Sequence, residues 1–263
     1  MSTSFRHKYG PWALVAGASE GIGAAFAEEL GARGIHLLLL ARRTEPLEQV
    51  AQAIRAAHGV EVVTASVDLG APSVLEDVRR VIDGREVGLL VYNAALSLVG
   101  PFLEQPLADK LRLLDVNCRG PLILSDELGR AMVGRGRGGI IIMSSLAGSQ
   151  GTGHVLTYAA SKAFDLVLAE GLWYELRAHG VDVLACRAGA TRTPGFESSK
   201  PRRVAAPLMD ARPVAVEALA ALGKGPSMVP GALNRMAAFF MQRVMPRRAA
   251  VATMGKATRD MYR

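Results

Sequence analysis

Cysteine is almost missing from this sequence: Cys118 and Cys186 stand far apart and form no CxxC pair. That excludes a disulfide framework and offers no thiolate set for a structural zinc, so no metal is expected. Aromatic residues are scarce as well, at 5%. The C-terminal basic stretch has only Tyr262 beside it, so a base-stacking surface is not expected, and with it no nucleic-acid partner. Long apolar runs are absent: the densest, 35–41, is interrupted at His36 and falls far short of a bilayer span. The opening residues, Met1-Ser2-Thr3-Ser4-Phe5-Arg6, contain no apolar signal core, so a cytoplasmic location is expected. Acidic residues are missing between Leu37 and Thr44.

What is present is an apolar, globular composition: 263 residues, 50% hydrophobic and 21% charged. The net charge of +7 is concentrated at the end of the chain. From Arg243 onward there are Arg243, Arg247, Arg248, Lys256, Arg259 and Arg263 against Asp260 alone. Such a tail reads first as a solvated face, with weak contact to an anionic membrane surface as the alternative.

Strand-like runs at 12–16, 35–40, 60–67, 87–92, 139–144, 181–186 and 227–229 alternate with amphipathic stretches at 21–33, 46–57, 73–82, 107–133 and 157–179. Continuous apolar strands such as Leu37-Leu38-Leu39-Leu40 belong to a sheet covered on both faces. Alternation of such strands with helices predicts an α/β fold, a doubly wound, mostly parallel sheet of about seven strands. No linker or repeat interrupts it, so one domain over 1–263 is expected. The pattern lapses at 191–213, an irregular substrate loop rich in Arg, Pro and Ser expected to close over the cofactor and shield the hydride from water. A C-terminal helical segment, 231–263, follows. Its apolar stretch from Met236 to Met241 suits core packing or a subunit contact, with a pocket wall or a membrane patch as alternatives.

Directly after the first strand comes Gly17-Ala18-Ser19-Glu20-Gly21-Ile22-Gly23, opening a helix. Glycines there allow a tight turn and let backbone N–H groups approach a pyrophosphate at the helix N-terminus. After the second strand, where an NAD-preferring site places a carboxylate on the ribose 2′-hydroxyl, this chain has Arg42 and Arg43. A guanidinium suits a 2′-phosphate in charge and in fork geometry, so NADP(H) is the expected cofactor, with Glu20 opposing it. At Tyr158-Ala159-Ala160-Ser161-Lys162, a phenol and an ammonium lie at i and i+4 on one helix face. The ammonium favours phenolate, which makes the phenol a candidate general acid or base. The fifth strand ends in Ser144-Ser145, where a hydroxyl can hold a substrate oxygen.

Taken together and in order, AGASEGIG (16–23), VDL (67–69), NAA (93–95), VN (116–117), SS (144–145), YAASK (158–162) and AGATRT (188–193) resemble the short-chain dehydrogenase/reductase family over about 10–230. The resemblance implies Tyr158 as acid/base and Lys162 as holder of the nicotinamide ribose. The family's Ser-to-Tyr spacing selects Ser145 to orient the carbonyl, and Asn117 would keep a water that relays protons. Asp68, with Leu69, would serve the adenine, and Asn93, Ala94 and Ala95 the ribose side. Gly189, Thr191 and Thr193 would hold the carboxamide. Three departures touch packing or loop geometry: Ala16 for Thr, Ala95 for Gly and Ala188 for Pro. The implied substrate is a hydrophobic carbonyl or alcohol, steroid-, ketoacyl- or lipid-like. Leu96, Ser97, Leu98, Gln150, His154, Val155, Leu156 and the 194–209 loop are expected around it. A homodimer or homotetramer paired through the two long helices is also implied. The competing reading is a catalytically silent NADP-binding scaffold or redox sensor.

Overall fold

Leu37, Leu38, Leu39 and Leu40 are all fully buried, although successive strand side chains point to opposite faces. Both faces of that strand must therefore be covered. The computed structural model describes residues 2–202 and 208–262. In it, β1 (Trp12–Ala16), β2 (His36–Ala41), β3 (Val62–Ser66), β4 (Val87–Tyr92), β5 (Gly138–Ser145), β6 (Val181–Ala188) and β9 (Ser227–Met228) form one parallel sheet, in the order β3-β2-β1-β4-β5-β6-β9. On one face, Val15, Leu37, Leu39 and Val91 pack on Phe26, Leu30, Leu47, Ile54, Val214 and Leu219. These belong to α2 (Gly21–Gly31), α3 (Thr44–His58) and α9 (Ala211–Ala221). On the other, Leu14, Leu38, Leu40 and Leu90 meet Val74, Val78, Leu124, Leu128 and Ala169. Those come from α4 (Val74–Ile82), α6 (Gly120–Arg135) and α7 (Leu156–Leu176). Each buried leucine contributes about 1.5–3 kcal/mol, so the four-leucine run alone welds the two layers together.

The strand order reverses between β1 and β4, which opens a crevice beyond their C-terminal ends. Gly17 leaves one side of that crevice and Asn93 the other.

Three elements depart from expectation. An N-terminal helix, α1 (Ser2–Tyr9), seats Tyr9 against β4 and β5, where Cβ atoms at Gly88 and Gly139 would strike it. The stretch expected as one helix over 107–133 is α5 (Leu107–Leu114), a wide turn (Asp115–Arg119) and α6. Pro121 cannot donate to the Asn117 carbonyl four residues earlier, and the Tyr92 hydroxyl donates to Val116 O at 2.6 Å. The winding opens there. The 191–213 stretch is not wholly irregular: β7 (Thr191–Arg192) pairs in parallel with β8 (Met209–Asp210), flanking α8 (Pro194–Ser198), and α9 starts at Ala211. The part of the expected substrate loop at 203–207 lies outside the described residues, as do Met1 and Arg263.

The C-terminal segment forms α10 (Ala232–Phe239), a wide turn (Phe240–Val244) and α11 (Arg247–Tyr262). Core packing of the apolar stretch is overturned for Met236, Phe239 and Phe240, which are exposed, while Ala238 is buried. Among the described residues, no helix is long and apolar enough to cross a membrane.

Candidate active site

Gly17 follows β1 with φ +84°, a conformation that favours glycine. A Cβ there would lie 2.7 Å from the Ala94 backbone. At Gly23 a Cβ would come within 1.9 Å of the Gly17 carbonyl oxygen. That oxygen accepts from Asn93 Nδ2 at 2.8 Å, and Asn93 and Ala94 N–H groups donate to Ala16 O at 3.0 and 2.9 Å. The loops after β1 and β4 are thus locked into one surface. Ser19 lies in the turn, and Ile22 and Gly23 in the first turn of α2. Glu20 is the N-cap of α2 but makes no side-chain cap bond. Among the described residues no side-chain hydrogen bond to the first N–H groups of α2 is present, which suits an anion-binding helix end.

Glu20 instead pairs with Arg43. Arg42 is exposed and makes no ion pair among the described residues. Asp68 pairs with Arg112 and accepts from Gly70 N–H at 3.2 Å. Partial burial works against its charge, but Arg112, Gly70 and the Arg42 field prevail and hold the carboxyl below its usual value. Leu69 is buried beside it, whereas Ala95 is exposed. At the far end of the crevice, Thr191 is buried and its hydroxyl donates to Gly189 O at 3.1 Å. Thr193 caps α8 through Phe196 N–H at 3.1 Å, with its side chain against Gly21. The turns after β1 and β6 therefore meet. These residues fit a dinucleotide laid across the strand ends.

The chemical end is built from β5, the 115–119 turn and α7. Tyr158 sits half-buried in the first turn of α7, and the Lys162 ammonium lies 5.9 Å from its ring centre. Lys162 is 2% exposed and donates to Met143 O and to Asp165 Oδ2, each at 2.8 Å. Burial lowers the ammonium, but the Asp165 and Tyr158 charges outweigh it and hold its pKa above the ordinary value. The two serines at the end of β5 separate in role. Ser144 is buried and donates to Lys162 O at 2.6 Å, pinning β5 to α7. Ser145 Oγ accepts from Ala147 N–H at 3.2 Å, which leaves its own O–H free to donate. Asn117 is fully buried: its Oδ1 accepts from Leu96 N–H at 2.8 Å, and its Nδ2 donates to Leu96 O and Ser161 Oγ, each at 2.9 Å. Its amide thereby clamps the β4–α5 loop onto α7.

With this arrangement in place, comparison with known proteins is decisive. A model of the family described as short chain dehydrogenase matches residues 11–203. The chain belongs to that family. Short-chain dehydrogenases and reductases act on CH–OH and C=O groups, and this chain is an oxidoreductase of that kind. It is 33% identical over 255 residues to a 7beta-hydroxysteroid dehydrogenase of Clostridium sardiniense, an alignment covering 96% of this chain and 97% of that protein. A solved structure from work on 7beta-hydroxysteroid dehydrogenase stereoselectivity superposes with TM-score 0.90 at 30% identity, covering 95% of this chain and 99% of that one. A short-chain dehydrogenase of Sphingobium yanoikuyae in complex with NADPH gives TM-score 0.78 at 30% identity, over 87% and 92% of the two chains.

Around the short-chain dehydrogenase centre, several groups lie outside the sequence motifs. Asp165 and Arg112 are two of them. The C-terminal helix is another: α11 packs on the loops flanking the cleft. Arg247 donates to Ser149 O at 2.8 Å, Thr258 and Thr152 hydroxyls meet at 3.0 Å, and Arg202 N–H donates to Met261 O at 2.7 Å. Of the expected substrate wall, Val155 and Gln150 are buried and Leu156 is exposed. Gln150 Nε2 has no partner among the described residues. His154, at φ +60°, accepts from Gly100 N–H at 2.8 Å through its carbonyl and joins the two cleft loops.

Proposed function

We propose that the protein interconverts a hydrophobic ketone and its secondary alcohol with NADP(H), using Tyr158 as the general acid or base. The observation that carries this reading is the placement of the buried Lys162 ammonium 5.9 Å from the Tyr158 ring, tied to Met143 O near the C-terminal end of β5. When bound, the nicotinamide supplies or accepts the hydride. In the reductive direction Ser145 donates its O–H to the carbonyl oxygen, and Tyr158 delivers the proton to the same atom. Lys162 stabilises the phenolate left behind and holds the ribose. Pro121 withholds an α-helical N–H from the Asn117 carbonyl, which would hold a relay water.

Preference for NADP(H) is supported by Arg42, exposed where an NAD site keeps an acid, and by Arg43, which occupies the Glu20 carboxylate. Gly17, Gly21, Gly23 and the α2 N-terminus would take the pyrophosphate, Asp68 and Leu69 the adenine, and Asn93, Ala94 and Lys162 the riboses. Gly189, Thr191 and Thr193 would take the carboxamide. A steroid- or long-chain acyl-like ketone suits the apolar Leu96, Leu98, Val155 and Leu156 expected around it and the 7beta-hydroxysteroid dehydrogenases to which the chain is similar. Exposed Leu107, Leu111, Leu122 and Val167 on α5–α7 support pairing of subunits. Residues 1–263 act as one cytoplasmic domain, with weak membrane-surface contact through basic α11 and exposed Phe239 and Phe240.

An NADPH-oxidation screen over steroid, acyl-thioester, aromatic and aliphatic ketones tests this reading. We expect turnover with a bulky apolar ketone and a loss of about 10²–10⁴ in kcat in Tyr158→Phe at unchanged NADPH affinity. Absence of turnover across the panel, with tight NADPH binding, would instead establish the silent scaffold.

A further inference from the structure

Lys162 has a charged neighbour on the far side from Tyr158. Asp165, one turn further along α7, is 1% exposed, and its Oδ2 accepts from the Lys162 ammonium at 2.8 Å. The backbone carbonyl of Met143 takes a second ammonium hydrogen at the same distance. An ammonium has three hydrogens, so two are fixed on the protein side and the third is left for the Tyr158 side. The other carboxylate oxygen, Oδ1, is buried without a partner among the described residues. A buried ion with half its hydrogen-bonding capacity unused is costly, and well-packed apolar residues in place of both Lys162 and Asp165 would serve the fold at least as well. The carboxylate therefore calls for a role beyond packing.

We propose that Asp165 is a positioning residue for the reaction: it orients the Lys162 ammonium toward Tyr158 and the cofactor ribose, and keeps it charged across the working pH range. The inference rests on the reading of Tyr158 and Lys162 given above. Ionisable groups face Asp165 from three elements. Lys162 shares its helix, with Tyr158 beyond it, Cys118 comes from the 115–119 turn, and Tyr92 from β4. Burial, helped by the Asp165 charge, pushes the Cys118 thiol up to about 11 and the Tyr92 phenol well above its usual value. Both are neutral at working pH, which leaves Lys162 to balance the carboxylate. Burial also pushes the Asp165 carboxyl up, more than Lys162 draws it down.

The sign of the effect follows from Lys162. A cation whose folded pKa is raised keeps its charge until pH climbs through that value. Without the Asp165 charge, burial of Lys162 is opposed only by Tyr158 and Cys118, and the ammonium loses its proton at lower pH. In Asp165→Asn, the alkaline limb of kcat/KM for alcohol oxidation is expected to move down by at least about one pH unit, a tenfold change in proton affinity. Asp165→Glu is expected to restore part of the shift. NADPH fluorescence titration gives a readout without turnover. The wild-type Kd should stay flat from about pH 7 to 9.5, while that of Asp165→Asn weakens at least about threefold.

Should Asp165→Asn fail to fold, the smaller Asp165→Ser is read the same way. In ¹⁵N-labelled wild-type protein, the Lys162 ammonium signal is expected to persist to about pH 10. A folded Asp165 variant with unmoved pH profile and unmoved NADPH binding overturns the proposal, as does loss of the wild-type ammonium signal below about pH 8.5. If the wild type turns over no carbonyl at all, the reaction reading falls, while the NADPH and ¹⁵N measurements still decide the role of Asp165.

Discussion

Replacing Arg42 by alanine separates a cofactor-selective charge from a merely solvated one. Arg42 leaves β2 into solvent with no carboxylate partner among the described residues, and Arg43 occupies the neighbouring Glu20. A guanidinium meeting a 2′-phosphate at about 4 Å gains about 1 kcal/mol in water and about 4 at an effective dielectric constant of 20. Because Arg42 is exposed, the lower part of that range applies, about 1–2 kcal/mol, and salt screens it. In concentration terms that is a five- to thirty-fold rise in the NADPH KM, at roughly 1.4 kcal/mol per decade. NADH has no 2′-phosphate, so its KM should move by less than about twofold on the same arithmetic. The wild type should prefer NADPH by at least about tenfold. Initial rates with both cofactors, at low and at high salt, measure all three quantities. Equal losses for NADPH and NADH in Arg42→Ala, or equal use of both by the wild type, would refute the reasoning.

The two serines that close β5 should respond differently to alanine. Ser144→Ala removes a buried hydrogen bond to the Lys162 carbonyl and should lower stability by about 1 kcal/mol. Ser145→Ala should leave stability within about 0.5 kcal/mol and lower kcat/KM by about 10²-fold. Urea melts beside steady-state kinetics tell them apart, and the reverse assignment would place the reacting hydroxyl on Ser144. Between α2 and α9, burial raises Glu29, but Arg212 and Arg33 outweigh it and hold the carboxyl below its ordinary value. A depressed folded pKa gives stability that is present above the unfolded value and lost as pH falls through the folded one. Glu29→Gln should therefore cost about 1 kcal/mol at neutral pH, with the gap to wild type closing below the ordinary carboxylate range. A gap that persists in acid would assign the loss to packing instead.

Local patterns carried most of the fold. Four successive leucines with no polar alternation can only be a strand covered on both faces, and the glycine spacing after β1 reflects contacts that a single Cβ would break at Gly17 and Gly23. Other features depend on contacts distant in the chain. The helix Ser2–Tyr9 has little apolar periodicity and is held by Tyr9 against β4 and β5. The Asp68–Arg112 pair joins residues 44 positions apart. The opening of the 107–133 helix did leave a trace, Gly120-Pro121, because the proline withholds an N–H from Asn117. Asp165 is the most instructive case. Its spacing, i+3 from Lys162 and i+7 from Tyr158, places all three on one helix face. On a solvated helix the same spacing is an ordinary surface ion pair worth a few tenths of a kcal/mol. Here the face is turned inward, and breaking the pair by removing one partner is expected to cost about 3–5 kcal/mol. Periodicity identifies which residues share a face; the depth of that face, set by β5 and the 115–119 turn packing over it, decides whether the charge on it is decoration or machinery.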